Sequence, residues 1–225
     1  MTNLSLENFE NGVKLYQNNN LYKFTSDSIK LAKFCNIKKT DNVLDLCAGC
    51  GVVGLYAYSI KPFNKLYFNE IQPQMCELIE LNIQVNDLGG KTKVLCKDLN
   101  NLTLSDIDKP LDVIICNPPY FKFNGKINKN ASMAMCRHEI STNLNQIVFK
   151  AGKLLKSGGR FYIIIPANRM CECVKLLGAS GLEVKRMEVC HTNGNATVCL
   201  IEGVKGACDG VDLKVVKEGY DRDYS

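Results

Sequence analysis

Residues 42 to 60 read NVLDLCAGCGVVGLYAYSI, and this stretch decides the fold. Asn42 to Leu46 is a short apolar run that begins β-branched and ends in glycines, which suits a buried strand. VVGLYAYSI, which follows, has helical spacing. A strand, a glycine turn and a helix open a β-α-β unit, and the chain repeats that unit as it runs on.

Lys65 to Glu70, KLYFNE, reads as a second strand, and PQMCELIELNIQVN as a second helix with proline in its first turn. TKVLCKD, residues 92–98, is a third strand. LDVIICNPPY, residues 111–120, is a fourth, stopped by two prolines. NLNQIVFKAGKLLKSGG predicts a helix closed by Gly158 and Gly159. RFYIIIP is a fifth strand and ANRMCECVKLLGASG a helix with a glycine end. LEVKRMEVCH and ATVCLIEGV, joined by the turn residues TNGN, close the core as a hairpin. The alternation predicts an α/β fold. It is a Rossmann-like, doubly wound, seven-stranded sheet, mostly parallel with an antiparallel last strand. Residues 1–40 are expected as an N-terminal cap segment, in which Thr25, Ser26 or Asp27 can cap an amphipathic helix. Residues 41–205 form the main domain, and 206–225 a lightly packed polar tail.

The 225 residues suit one compact domain, and a formal charge of +5 favours an anionic partner only mildly. The longest apolar run, FYIIIP, is too short to cross a bilayer, so no membrane association is expected. The first twelve residues carry acids and no basic-then-apolar block. Twelve cysteines, scattered singly through apolar segments, then read as buried thiols in a reducing cytoplasm. Cys47 and Cys50 spell C-x-x-C, but no second pair stands near at zinc spacing. They read as loop or packing residues, and no metal is expected.

Gly49, Gly51 and Gly54 spell G-x-G-x-x-G, which alone is weak evidence, so the neighbours have to decide the ligand. In such a sheet ligands sit at the carboxyl ends of the strands, where strand order reverses. Asp45, at the end of the first strand and read as pointing into the site, would repel a dinucleotide pyrophosphate. It can bind the α-ammonium of a methionine moiety, directly or through water. Glu70, ending the second strand, can take ribose hydroxyls. Asp98, ending the third, can accept from an adenine amino group beside Leu99. Acids at three successive strand ends favour S-adenosylmethionine over NAD. The cofactor set is then Cys47, Ala48, Gly49 and Gly51 in the loop, Asp45, Glu70, Ile71, Asp98 and Leu99 at the strand ends, and Asn117.

NPPY, Asn117 to Tyr120, carries the chemistry. Pro118 and Pro119 stiffen a turn that aims the Asn117 amide and the Pro118 carbonyl in one direction. Two convergent acceptors suit an exocyclic amino group with two N–H donors. Accepting both draws the nitrogen lone pair out of conjugation, while Tyr120 offers a face on which a base can stack. No strong base is required, so catalysis is mostly positioning.

DLCAGCG, FNE, KD and NPPY together resemble the amino-methylating class I S-adenosylmethionine-dependent methyltransferases. Within that group the chain is similar to the bacterial tRNA-Val (adenine-37-N6)-methyltransferases. YKFTSDSIKLA, MCRHEIS, LLKSGGRFYIIIPANRM and EVKRMEVCHTNGNATVCLIEGVKG extend the match over most of residues 20 to 206. The resemblance implies S-adenosylmethionine as donor and the adenine beside the anticodon as acceptor. It implies that Asp45, Gly49, Glu70 and Asp98 bind the cofactor and that residues 117–120 hold the base. Phe24 and Asp27 would close over the methionine end. The tail is shorter and more polar than in that family.

The segment from Phe121 to Glu139 places Lys122, Lys126, Lys129, Arg137 and His138 against one acid, interleaved with Phe121 and Phe123. That pattern fits phosphate neutralisation with stacking, so tRNA is the expected partner of a monomer. The plainer alternative is a solvated loop. Arg160, Arg169, Lys185 and Arg186 are candidates to extend a basic face. Rival readings are a guanine-N2 rRNA methyltransferase and a release-factor glutamine N-methyltransferase, whose extra helical domain forty residues cannot supply. A DNA methyltransferase would need a target-recognition domain. An NAD-dependent oxidoreductase is opposed by Asp45 and NPPY, and an inactive cofactor-binding adaptor by the intact NPPY.

Overall fold

A computed structural model describes residues 4–18, 24–118 and 143–218. After an N-terminal hairpin, β1 (Leu4–Asn8) and β2 (Lys14–Asn18), comes α1 (Ser26–Phe34). Next follow β3 (Asn42–Leu46), α2 (Val52–Ile60), β4 (Lys65–Glu70), α3 (Pro73–Val85), β5 (Thr92–Cys96) and β6 (Leu111–Cys116). The second half holds α4 (Leu144–Leu154), β7 (Leu155–Pro166), α5 (Met170–Ala179), β8 (Leu182–Thr192), β9 (Asn195–Lys205) and β10 (Asp212–Lys217). The main sheet runs in the order β10-β8-β9-β7-β6-β3-β4-β5. Its central pairs are parallel, and β9 is antiparallel to both β7 and β8. The seven-stranded α/β core therefore has the antiparallel last strand expected, inserted between β7 and β8.

Both faces of the sheet are covered, which explains why its central strands are apolar throughout rather than alternating. Val43, Leu66, Phe68, Val113, Ile115 and Ile164 turn to the layer built by α1, α2 and α3. Leu44, Leu46, Tyr67, Ile114, Cys116 and Ile163 turn to the layer of α4 and α5. The period-two alternation has a consequence for function. Asp45 shares the face of Val43 and meets α2, while Asn117, one step after Cys116, falls toward α1.

Three features differ from the sequence reading. The cap segment contains the β1–β2 hairpin as well as α1, closed at Asn11-Gly12 with Gly12 at φ +86. The helix expected to run to Gly158 ends at Leu154, because Leu155 is buried and already pairs with Leu111 of β6. The closing segment, expected as a loosely packed tail, supplies β10, parallel to β8 at the sheet edge. All six of its side chains are exposed, so backbone pairing holds it. Glu218 then fastens its end, accepting from Thr192 (2.9 Å) and Thr197 (3.1 Å) and pairing with Lys30 of α1. Thr25 stands at the N-cap of α1 in an extended conformation but makes no side-chain cap bond.

Candidate functional site at the carboxyl edge of the sheet

The order β5-β4-β3-β6 reverses between β3 and β6, so the ends of four neighbouring parallel strands face one crevice. Asp45 and the glycine loop come from β3, Glu70 from β4, Asp98 follows β5 and Asn117 follows β6. Register places Leu46 beside both Asn69 and Cys116, and Glu70 beside Cys96. The topology thus brings together the sequence-predicted residues that belong to these strands.

The loop between β3 and α2 is bound from both sides. Gly49 N–H donates to Glu70 Oε2 at 2.9 Å, and Ala48 N–H to the Asn69 carbonyl at 3.0 Å. Cys47 takes φ +60, an uncommon conformation outside glycine, and Gly49 takes φ +57. Nothing lies within 4 Å of where a Gly49 side chain would stand, so the backbone is open to close approach there. Gly51 caps α2 at φ +82. At Gly54 the requirement is space. A Cβ would lie 2.8 Å from the Phe68 ring and 3.1 Å from Asp45 Oδ2.

Asp45 lies beneath the loop rather than at its surface. It is 1% exposed, and its Oδ2 accepts the Gly54 N–H at 2.8 Å. Burial pushes its carboxyl up to about 8, opposed by the Gly54 bond and reinforced by the charge of Glu70. Glu70 accepts from Gly49, Ile71 (2.9 Å) and Gln72 (3.0 Å). Burial also raises its pKa, against those three N–H donors and the Gln72 side chain. Asp98 is half-buried, and Asn100 donates twice to its Oδ1, at 2.8 and 3.0 Å. Leu99 is buried beside it.

The Asp45 shift predicts a pH effect. In the unfolded chain this carboxyl titrates near ~4. Between that value and about 8 the folded state carries the extra proton. Stability attributable to Asp45 is therefore full at acid pH and declines as pH rises through that window. Urea midpoints at pH 5, 6.5 and 8.5 should show wild type losing stability relative to Asp45→Asn. A difference between the two that stays flat with pH would remove the buried-proton assignment.

Two residues that hold the backbone around the site escaped the sequence reading. Asn82 of α3 is fully buried and ties β2 to the loop. Its Oδ1 accepts from Tyr16 N–H (2.6 Å), and its Nδ2 donates to the Tyr16 carbonyl (3.1 Å) and the Cys50 carbonyl (3.0 Å). Asn69 of β4 donates to the Leu95 (3.0 Å) and Lys97 (2.8 Å) carbonyls, holding the chain just ahead of Asp98. The available signal was an asparagine inside an apolar run, since a buried amide must be bonded.

At the other wall, Asn117 Nδ2 donates to Ser28 Oγ of α1 at 2.9 Å. Asp27 adjoins Ser28 and approaches Lys30 at 3.3 Å. Phe24 packs against Phe9, ring centroids 5.6 Å apart, and Phe9 against Tyr56 of α2. Pro118 is buried. Pro119, Tyr120, Lys122, Lys126, Lys129, Arg137 and His138 lie outside the described residues. The second basic group does not form a free cationic face. Arg160 pairs with Asp41, Arg169 with Glu172, and Arg186 with Glu202 while stacking on Phe34, and Lys185 binds the Cys208 and Asp209 carbonyls. Each cysteine among the described residues is a free thiol, and those residues hold no cluster of metal-binding side chains. No helix among them is long and apolar enough to cross a membrane.

This geometry has relatives. A tRNA1(Val) (adenine(37)-N6)-methyltransferase of Flavobacteriaceae bacterium (strain 3519-10) is 23% identical over 202 residues, covering 84% of each chain. Trm5 of Methanocaldococcus jannaschii, solved with adenosine, superposes with a TM-score of 0.65 at 18% identity, over 91% of this chain and 56% of its own. TYW2 of M. jannaschii, solved with AdoMet, gives a TM-score of 0.60 at 15% identity, over 91% and 86% of the two chains. The model of the methyltransferase small domain matches residues 27–197, well over half of the sequence, and the chain belongs to that family.

Proposed function

We propose that this protein transfers a methyl group from S-adenosylmethionine to the N6 amino group of an adenine in tRNA, adenine 37 of tRNA-Val being the acceptor. The observation that carries the reading is Asn117, held at the end of β6 beside the glycine loop with its amide nitrogen turned inward to Ser28. The family match and the tRNA-modifying names of the relatives support it.

The described residues fit the cofactor. The open face of Gly49 receives a ligand that a side chain would block. Glu70, at the end of β4 and bonded to the loop through Gly49, is the residue proposed to meet the ribose hydroxyls. Among the described residues Asn100 bonds Oδ1 of Asp98, and Oδ2 is proposed to take an adenine amino group. Asp27, with Phe24 before it, stands for the methionine end, and Cys47, Ala48, Gly51, Ile71 and Leu99 complete the lining. Asp45 acts through the loop it supports. When bound, S-adenosylmethionine supplies a methyl group activated on a sulfonium.

The protein's part is orientation. Asn117 Oδ1 and the Pro118 carbonyl accept the two N–H groups of the adenine amine, which frees its lone pair for the new N–C bond. The surplus proton leaves to water afterwards, so no side-chain base is needed. Tyr120 stacks on the base, and Lys122, Lys126, Lys129, Arg137 and His138 neutralise the tRNA backbone near it.

The test is methyl transfer from labelled S-adenosylmethionine to total RNA of a strain lacking this gene, with nucleosides identified by mass spectrometry. N6-methyladenosine in tRNA is expected. Label in N2-methylguanosine or in protein would keep the donor and overturn the acceptor, and no label in RNA or protein would sink the enzymatic reading.

A further inference from the structure

The Asn117 amide has a partner outside the motif that defines it. Ser28, 89 positions earlier in the chain, lies on the first turn of α1 and is 2% exposed. Its Oγ receives the Asn117 Nδ2–H at 2.9 Å. An asparagine amide fits one slot in two orientations that exchange a carbonyl acceptor for two N–H donors. Transfer to an amine tolerates one of them. With Oδ1 toward the acceptor nucleotide, the amide receives an amine N–H. Reversed, it sets N–H against N–H, and the lone pair stays in conjugation.

We infer that Ser28 is a positioning residue, which through its 2.9 Å bond to the Asn117 amide anchors that side chain where it meets the amino group to be methylated. The inference rests on the amino-transfer reading above. It makes α1 part of the chemical apparatus, since the helix that carries Asp27 also anchors the amide. The latch from β10 bears on the same helix through the Glu218–Lys30 pair.

Three variants test it. Ser28→Ala removes the acceptor, Ser28→Cys keeps the size but weakens the acceptor, and Ser28→Thr keeps the hydroxyl. At saturating cofactor and tRNA, the single-turnover rate is expected to fall about tenfold in the first two and recover in the third. Cofactor Kd is expected to stay within about twofold, because the amide–hydroxyl bond is not itself a cofactor contact. The contact is also readable without turnover. In protein labelled with 15N-asparagine, the Asn117 side-chain amide protons are expected to exchange faster with water in Ser28→Ala.

Unchanged rate with unchanged exchange overturns the inference. So does a rate loss that tracks losses of thermal stability and cofactor affinity and is not rescued by threonine, since Ser28 would then be packing alone. If wild type methylates no tRNA, the proposed function fails, and the exchange measurement still decides the contact on its own.

Discussion

Asn117→Ala is expected to lower the rate of methyl transfer by about 10²–10³ while leaving the Kd for S-adenosylmethionine within about twofold. The asymmetry follows from where the side chain sits. Asn117 ends β6 at the wall opposite the Glu70–Gly49 contact, and its nitrogen is taken by Ser28. On the proposed function, alanine removes the acceptor for the amine without touching the loop, Glu70 or Asp98. The magnitude is that of losing one preorganised polar group of an active site. Single-turnover kinetics give the rate, and calorimetry gives the Kd. A variant that turns over within a few-fold of wild type would refute the role assigned to this amide. One that loses cofactor binding in proportion would make Asn117 a structural wall of the cofactor pocket instead.

Gly54→Val should cost several kcal/mol of stability and most of the cofactor affinity. Even the first added carbon meets the Phe68 ring at 2.8 Å and the Leu66 side chain at 3.1 Å. Phe68 and Leu66 are both fully buried in β4, between β3 and β5, so neither can give way. Overpacking of this kind costs roughly 1–3 kcal/mol. Pushing α2 off the sheet also breaks the Gly54 N–H bond to Asp45, and an unsatisfied buried acceptor adds about 1–3 kcal/mol. At roughly 2–4 °C per kcal/mol for a chain of this size, the melting temperature should drop by about 10 °C. Gly90→Ala is the control, because nothing lies within 4 Å of its added carbon. If the two variants melted together, the close helix–strand approach would have to be abandoned as the reason for this glycine.

Much of this arrangement was legible in the residues. KLYFNE and VVGLYAYSI became β4 and α2 with their predicted bounds. TNGN turned as expected, with Asn193 at φ 50 and Gly194 at φ 82 between β8 and β9. Acids at successive strand ends were readable because strands run in register and end at one edge. The N-terminal hairpin was missed although Asn11-Gly12 is a strong turn signal. Its strands are only five residues long, and it is held by Asn82 of α3 and by Asn86 just past the end of that helix, which bond Tyr16 and Lys14 at separations of 66 and 72 residues. β10 was missed because its side chains stay exposed, so no burial pattern marks it.

By itself, then, the sequence determined what local geometry and burial write into a chain: the alternation of strands and helices, the glycines of the loop, and the order in which the polar groups arrive at the sheet edge. Tertiary structure alone decided how those groups are used. It sank Asp45 beneath the loop with a raised pKa, tied Glu70 to Gly49, and turned the Asn117 amide by bonding it to Ser28. The reason is physical. Periodicity records which face of an element is buried, but a polar atom's bonding partner is chosen by which distant segments pack against it.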